Sequence, residues 1–202
     1  MLNIKIPILI SILIFLYPGC REQKNALTLQ SGDIIFQKSL EPQHLVMDFL
    51  DMGKYNHCGI IVKKSGKYFV LSSEKTVSYT ELKKWVQKGE GQHYRVLRPE
   101  KNLQKKMNLI LAKAGFFQGR TYDFKFDWDD RKLYNSELVQ KVYYNGARVM
   151  LGEFIRVTGI SVLPSDSTVY QSCKDFIPYD KEVVTVQSIF NSPHLKLLML
   201  KN

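Results

Sequence analysis

The residues of this 202-residue chain able to do chemistry are few: four histidines, three cysteines and one helix start. A thiol becomes a nucleophile beside an imidazole, or at a helix N-terminus, where free N–H groups and the macrodipole lower its pKa. The stretch RKLYNSELVQKVY, residues 131–143, has the form of a loop running into such a helix, with Leu138, Val139 and Val142 at core spacing. Yet Asn135 stands where the helix begins, and a carboxamide attacks nothing. It is either an ordinary helix start or an active site whose nucleophile has been replaced. His57 is the other pointer. It opens a β-rich run, NHCGI, in which Gly59 lets a neighbouring backbone come close. A lone histidine there is most often structural.

The remaining candidates thin out quickly. His44, His57, His93 and His194 show no zinc-like spacing, and the adjacent His57-Cys58 pair would point to opposite faces of a strand. No metal and no cofactor are expected. No glycine loop suited to phosphate appears. The acids of FDWDD, Asp127, Asp129 and Asp130, lack the glycine and closing glutamate of a calcium loop and are expected to form a solvated turn. The net charge is +10, but no Lys/Arg run interleaves with aromatics, so nucleic acid is not an expected partner. That charge suits an anionic membrane surface or an acidic ligand, and equally a solvated lysine-rich surface.

Residues 1–20 stand apart from the fold. Lys5 is followed by an apolar run from Ile6 to Tyr17, shorter than the roughly 20 residues of a membrane span, and then by Pro18-Gly19-Cys20. This fits an export signal. Its Gly-Cys ending resembles a bacterial lipoprotein signal, in which Cys20 would carry lipid, although Tyr17 stands where such signals prefer leucine. The expected organisation is a signal over 1–20, a tether over 21–30 and one domain over 31–202. The expected location is the cell envelope, with the membrane as partner through the lipid anchor. Cys58 and Cys173 are expected to be two independent, partly buried thiols.

Several elements must position these residues. SGDIIFQ predicts a strand, and EPQHLVMDFLDMG a helix with Pro42 in its first turn and Gly53 as its terminator. HCGIIVKKSGKYFVLSS predicts a hairpin with a Lys-Ser-Gly turn. SYTELKKWVQKG predicts a helix with Ser78 and Glu81 at capping-box spacing and Gly89 at its end. QHYRVLRP predicts a strand. NLQKKMNLILAKAGFFQG predicts one amphipathic helix with Leu103, Met107, Ile110, Leu111 and Ala114 on its stripe. Phe124, Phe126 and Trp128 alternate in a segment expected to be extended, and EVVTVQSIF predicts a last strand. The fold class is α+β, an antiparallel sheet packed with helices.

The ordered series GDIIFQ, NHCGIIV, KYFVLSS, GEGQHYRVLRP, YDFKFDWDDRKLYNSELVQKVY and SIFNSPHL resembles the permuted papain-fold amidases of the YiiX/YaeF type, in the NlpC-like cysteine hydrolase superfamily. The resemblance runs from about Gly32 to the C-terminus. It implies a circularly permuted papain-like fold in which a strand histidine precedes a cysteine that opens a helix. A glutamate on the neighbouring strand would orient the imidazole. Carried over by position, the histidine is His57. The nucleophile position holds Asn135 and the orienting-acid position holds Ser72, so two of three catalytic positions are substituted. Gln43 matches a family glutamine near the site and Tyr122 the tyrosine of the family's YD motif, and both are expected to bind the ligand.

Asn135 is also among the best helix caps, so the substitution would remove chemistry while keeping the fold. Ser136 is expected to be rotated away from His57 by roughly 100°, and Cys58 to face the other side of its strand. Glu74, two residues beyond Ser72, is the one candidate to restore an orienting carboxylate. The expectation is therefore a catalytically inactive envelope lipoprotein binding an acyl, lipid-amide or peptide ligand in the former cleft. The alternatives are an active amide or ester hydrolase using His57 with a non-standard nucleophile, and a structural lipoprotein with a vestigial cleft.

Overall fold

The computed structural model describes residues 28–51, 53–158 and 168–198. The expected export signal, Cys20 and most of the expected tether lie outside them. In chain order the elements are β1 (Ile34–Ser39), α1 (Leu45–Asp51), β2 (His57–Lys64), β3 (Lys67–Ser73), β4 (Val77–Glu81), α2 (Leu82–Val86) and β5 (Gly89–Pro99). There follow α3 (Lys101–Lys105), α4 (Met107–Ala114), α5 (Asn135–Ala147), β6 (Phe154–Arg156), α6 (Thr168–Cys173), β7 (Glu182–Val184), α7 (Val186–Phe190) and β8 (Leu195–Leu198).

Six strands form one antiparallel sheet in the order β4-β3-β2-β1-β5-β8, and β6 pairs with β7 separately. Both faces of the large sheet are covered, so its central strands are apolar throughout rather than alternating with polar residues. Ile34, Phe36, Cys58 and Ile60 face the main core with Leu138, Val139 and Val142 of α5 and Ile110 of α4. Their neighbours Ile35, Ile61, Val70 and Val96 face a smaller cluster built on Trp85 of α2. Fully burying each such side chain stabilises the fold by about 1.5–3 kcal/mol. Gly59 is required by the tight packing of β3 on β2: a Cβ there would lie 2.8 Å from the Leu71 carbonyl oxygen and 2.5 Å from Val70. The sheet is further tied by Arg98 of β5, whose guanidinium donates at 2.8 and 2.7 Å to the buried carboxylate of Asp33.

Local signals failed where tertiary pairing outweighed them. Ser78–Glu81 is strand rather than helix: β4 pairs along β3, Ser72 opposite Ser78, and only Leu82–Val86 is helical, with no capping bond from Glu81. Gly89 opens β5 instead of closing the helix. The long amphipathic helix is two, broken at Lys106 (φ −97, ψ 7), although Leu103, Ile110 and Ala114 keep their buried stripe. EVVTVQSIF divides at Thr185, whose hydroxyl accepts the Ser188 N–H, into β7 and α7; the last strand is β8. The Phe124–Trp128 segment forms turns rather than an extended strand. Asp123 accepts the N–H groups of Lys125 and Asp127 at 2.9 and 2.6 Å, and Phe126 takes φ +55. Among the described residues no helix is long and apolar enough to cross a membrane.

Candidate active site

His57 is the first residue of β2, opposite Gln37 of β1, and is buried. Its ring lies between two others. His44, from the turn before α1, stacks on it with centroids 4.0 Å apart and planes within 20°. Trp85 packs against it at 4.8 Å. Neither nitrogen of His57 has a hydrogen-bond partner. Burial lowers its pKa well below the usual histidine range, helped by His44 and by the charge of Lys88. Burial likewise holds His44 at about 3; the Ser73 backbone offsets this only in part, and no nitrogen of His44 makes a hydrogen bond of normal geometry. Both imidazoles are neutral bases at neutral pH.

Asn135 is the first residue of α5 and completely buried. It is not the cap that its type suggested. Tyr134 precedes it as the capping residue, and the Glu137 carboxylate accepts the Tyr134 N–H at 3.3 Å. The Asn135 amide nitrogen instead donates to the carbonyl oxygen of Asn56 at 3.1 Å, which locks α5 to the turn that delivers His57. Its Oδ1 is buried without a partner. Ser136 is spent as well, donating to the Val184 carbonyl at 2.8 Å. Cys58 faces the main core, away from Trp85, and burial raises its thiol far above the range in which a thiolate forms.

Ser72 accepts a bond from Trp85 Nε1 at 3.1 Å, so its hydroxyl holds the indole that packs on His57. Glu74 lies beyond the end of β3 and pairs with Lys88, and no hydrogen bond links it to His57. Tyr122 packs edge-on to His44 at 6.0 Å and donates to the Gln43 carbonyl at 2.9 Å, which joins these two residues at the rim. Gln43, Glu74 and Lys88 line a polar cavity of about 350 Å³.

His44, Trp85, Gln37 and Asn56 escaped the sequence reading. His44 and Trp85 are 13 and 28 positions from His57, and no local period announces either. Gln37 did leave a signal, a polar residue ending an apolar strand; its Nε2 donates to the Trp85 carbonyl at 3.1 Å and its Oε1 is buried without a partner. Cys58 and Cys173 are free and both buried, Cys173 more deeply than expected. Among the described residues no three His, Cys, Asp or Glu side chains converge as a metal site.

Comparison with known proteins agrees with the fold. Residues 28–199 match the family model described as permuted papain-like amidase enzyme, YaeF/YiiX. The uncharacterized protein YiiX of Escherichia coli (strain K12) is 34% identical over 171 residues, covering 82% of this chain and 84% of that protein. The crystal structure titled metalloprotein yiiX, from Escherichia coli O157:H7, superposes with a TM-score of 0.75 at 31% identity. That match covers 85% of this chain and 97% of the crystallised one.

Proposed function

The chain belongs to the permuted papain-like amidase family of the YaeF/YiiX type, and from that premise we propose that it is a catalytically inactive member, an envelope lipoprotein that binds rather than cleaves. One observation carries this reading: Asn135 stands at the proposed nucleophile position with its amide tied to Asn56, while the neighbouring Ser136 hydroxyl is spent on the Val184 carbonyl and burial keeps the Cys58 thiol protonated. Loss of a nucleophile alone removes several orders of magnitude in rate. The ligand proposed is the acyl, lipid-amide or peptide group that an amidase relative would act on. The polar cavity lined by Gln43, Glu74 and Lys88 favours contact with the amide or head-group end of such a ligand.

The crystallised relative is titled a metalloprotein. The two imidazoles here fit an ion poorly. Ring lone pairs lie in the ring plane, so nearly parallel stacked rings send them side by side instead of to one point, and tetrahedral zinc requires convergence.

A second reading, a structural lipoprotein with a vestigial cleft, draws support from the near-complete burial of His57, Ser72 and Asn135. One experiment separates the readings. The protein lacking residues 1–20 is assayed on a panel of acyl esters and amides beside His57→Ala and Asn135→Cys, and its copurified small molecules are identified by mass spectrometry. Inert native protein with a bound acyl or peptide compound supports the binding reading. An empty, inert protein supports the structural one. Turnover abolished by His57→Ala overturns both in favour of an active hydrolase.

A further inference from the structure

The segment FDWDD does more than turn the chain. Trp128 and Asp130 form one wall of an open cavity of about 620 Å³ beside α5, which shares no lining residue with the polar cavity of Gln43, Glu74 and Lys88. That volume lies within the range of small-molecule sites. Phe154 of β6 packs edge-on to Trp128 at 4.8 Å, and Tyr144 and Met150 close the opposite side. All four are more than a third exposed, an unusual concentration of large apolar side chains on one surface.

The charges narrow the ligand class. Lys141, almost fully buried, places its ammonium 4.6 Å from the centre of the Trp128 ring, and Arg148 sits 5.3 Å from the centre of the Tyr144 ring. An electron-rich ring face already carrying a cation gives little to a second one, and a bound cation would be repelled by both side chains. A carboxylate or phosphate would meet Asp129 and Asp130. The occupant is therefore neutral. A bare acyl chain is also a poor fit, because polar groups stand among the rings. Asp130 uses one carboxylate oxygen on Lys141 at 2.8 Å, and the Asn145 amide makes no intramolecular hydrogen bond among the described residues. Lys141 itself is satisfied by the Asp129 carbonyl, Asp130 and Glu137, so it braces the wall and has little left for a ligand.

Aromatic faces offer broad contact to the C–H face of a sugar ring. A carboxylate that only accepts, and an amide that both donates and accepts, are the groups that hold vicinal hydroxyls. We infer that Trp128, Phe154, Tyr144, Asp130 and Asn145 form a binding site for a neutral carbohydrate of one or two sugar rings. The site stands independently of the reading of the His57 site.

The full-length protein, kept in a polyoxyethylene detergent that carries no sugar, is titrated calorimetrically with maltose, cellobiose and N,N′-diacetylchitobiose. Tetramethylammonium chloride and sodium octanoate serve as cationic and acyl probes. The chain has two tryptophans and Trp85 is buried, so emission from Trp128 gives a second readout. Saturable binding of at least one disaccharide is expected at about 1 mM or tighter. It should weaken by at least about tenfold, or 1.4 kcal/mol, in both Trp128→Ala and Asn145→Ala. Phe116→Ala, which removes an exposed aromatic outside this cavity, should leave it unchanged. Asn145 is only half-buried, so its variant keeps the test meaningful if Trp128→Ala fails to fold. The inference is overturned if no disaccharide saturates, if only tetramethylammonium or octanoate binds, or if sugar binding survives Asn145→Ala unchanged.

Discussion

His57 lies face to face with His44, the ring centroids 4.0 Å apart and the planes within 20°. In a working cysteine hydrolase the strand imidazole would spend one nitrogen on the thiol and the other on an orienting acid. Here both nitrogens are idle, and the ring is held by His44 and Trp85 through stacking alone. The ring is fixed by packing and not by directional bonds, and that has measurable consequences.

The first is acid sensitivity. His44 titrates near 3 in the folded protein and at about 6.5 when unfolded, so between those values the unfolded chain binds a proton that the folded chain refuses. Stability is thus lost as pH falls below about 6.5, by at most about 1.4 kcal/mol per pH unit from this residue. Lys88 bears on the ring with like charge, and Glu74, the nearby carboxylate, is engaged with Lys88. His44→Phe keeps a ring against His57 and removes the titration. Urea midpoints measured from pH 7 to 4.5 should fall less steeply for this variant than for the native protein. Parallel curves would show that the stacked pair does not govern the acid response.

Glu137 predicts the opposite slope. It is fully buried and burial raises its pKa to about 8, against the lowering effects of Lys141 and the Tyr134 N–H. Its folded pKa exceeds the unfolded value of 4.5, so the folded state holds the extra proton and its contribution is lost as pH rises from about 4.5 to 8. Glu137→Gln keeps an acceptor for Tyr134 and cannot ionise. The variant should lose less stability than the native protein between pH 6 and 8, as read by denaturant midpoints. Equal losses would mean that Lys141 keeps the carboxylate ionised throughout.

If the chain is inactive as proposed, installing thiol chemistry should take two changes. Asn135→Cys supplies a thiol at the start of α5, but His57 then still lacks an orienting partner, because Ser72 is occupied with Trp85. Adding Ser72→Glu places a carboxylate that can take over the Trp85 bond and reach the imidazole. Removal of an orienting acid from a catalytic triad costs about 10⁴ in rate. The double variant should accordingly form an acyl adduct with an activated ester at least about tenfold faster than Asn135→Cys alone, measured by intact-protein mass spectrometry. Equal rates would show that the position of Ser72 no longer addresses His57.

How much of this was legible in the residues depends on the range of the interaction. The strands around NHCGIIV and GDIIFQ, the hairpin and α5 follow from continuous apolar runs and a 3.6-residue stripe, and all appear. The motif order also carried the family. The stack of His44 on His57 was not legible, because a turn before α1 and the start of β2 meet only once the sheet has formed. The role of Asn135 was half legible: its position at a helix start showed, but its bond to Asn56 is a contact across 79 residues that no local preference encodes. Ser78 and Glu81 misled for the same reason, since an available edge on β3 outweighed a capping pattern.

The contact that positions α5, and with it Asn135, can be tested through one glycine. A Cβ on Gly146 would lie 2.4 Å from Ile110 Cα and 2.8 Å from the Ile110 nitrogen, so α4 and α5 cross where only hydrogen fits. These are backbone atoms and cannot swing aside. Gly146→Ala gains about 1 kcal/mol of helix propensity but forces the helices apart, and overpacking of this kind costs about 1–3 kcal/mol or more. Gly115, at the C-terminal end of α4 with φ −64, would meet nothing within 4 Å, so the same substitution there carries only the entropic gain of about 0.4–1 kcal/mol. The two alanine variants should move the thermal midpoint in opposite directions, Gly146→Ala downward and Gly115→Ala upward. A Gly146→Ala protein as stable as Gly115→Ala would mean that the helices are free to separate, and that α5 is not held against α4 tightly enough to fix Asn135 beside β2.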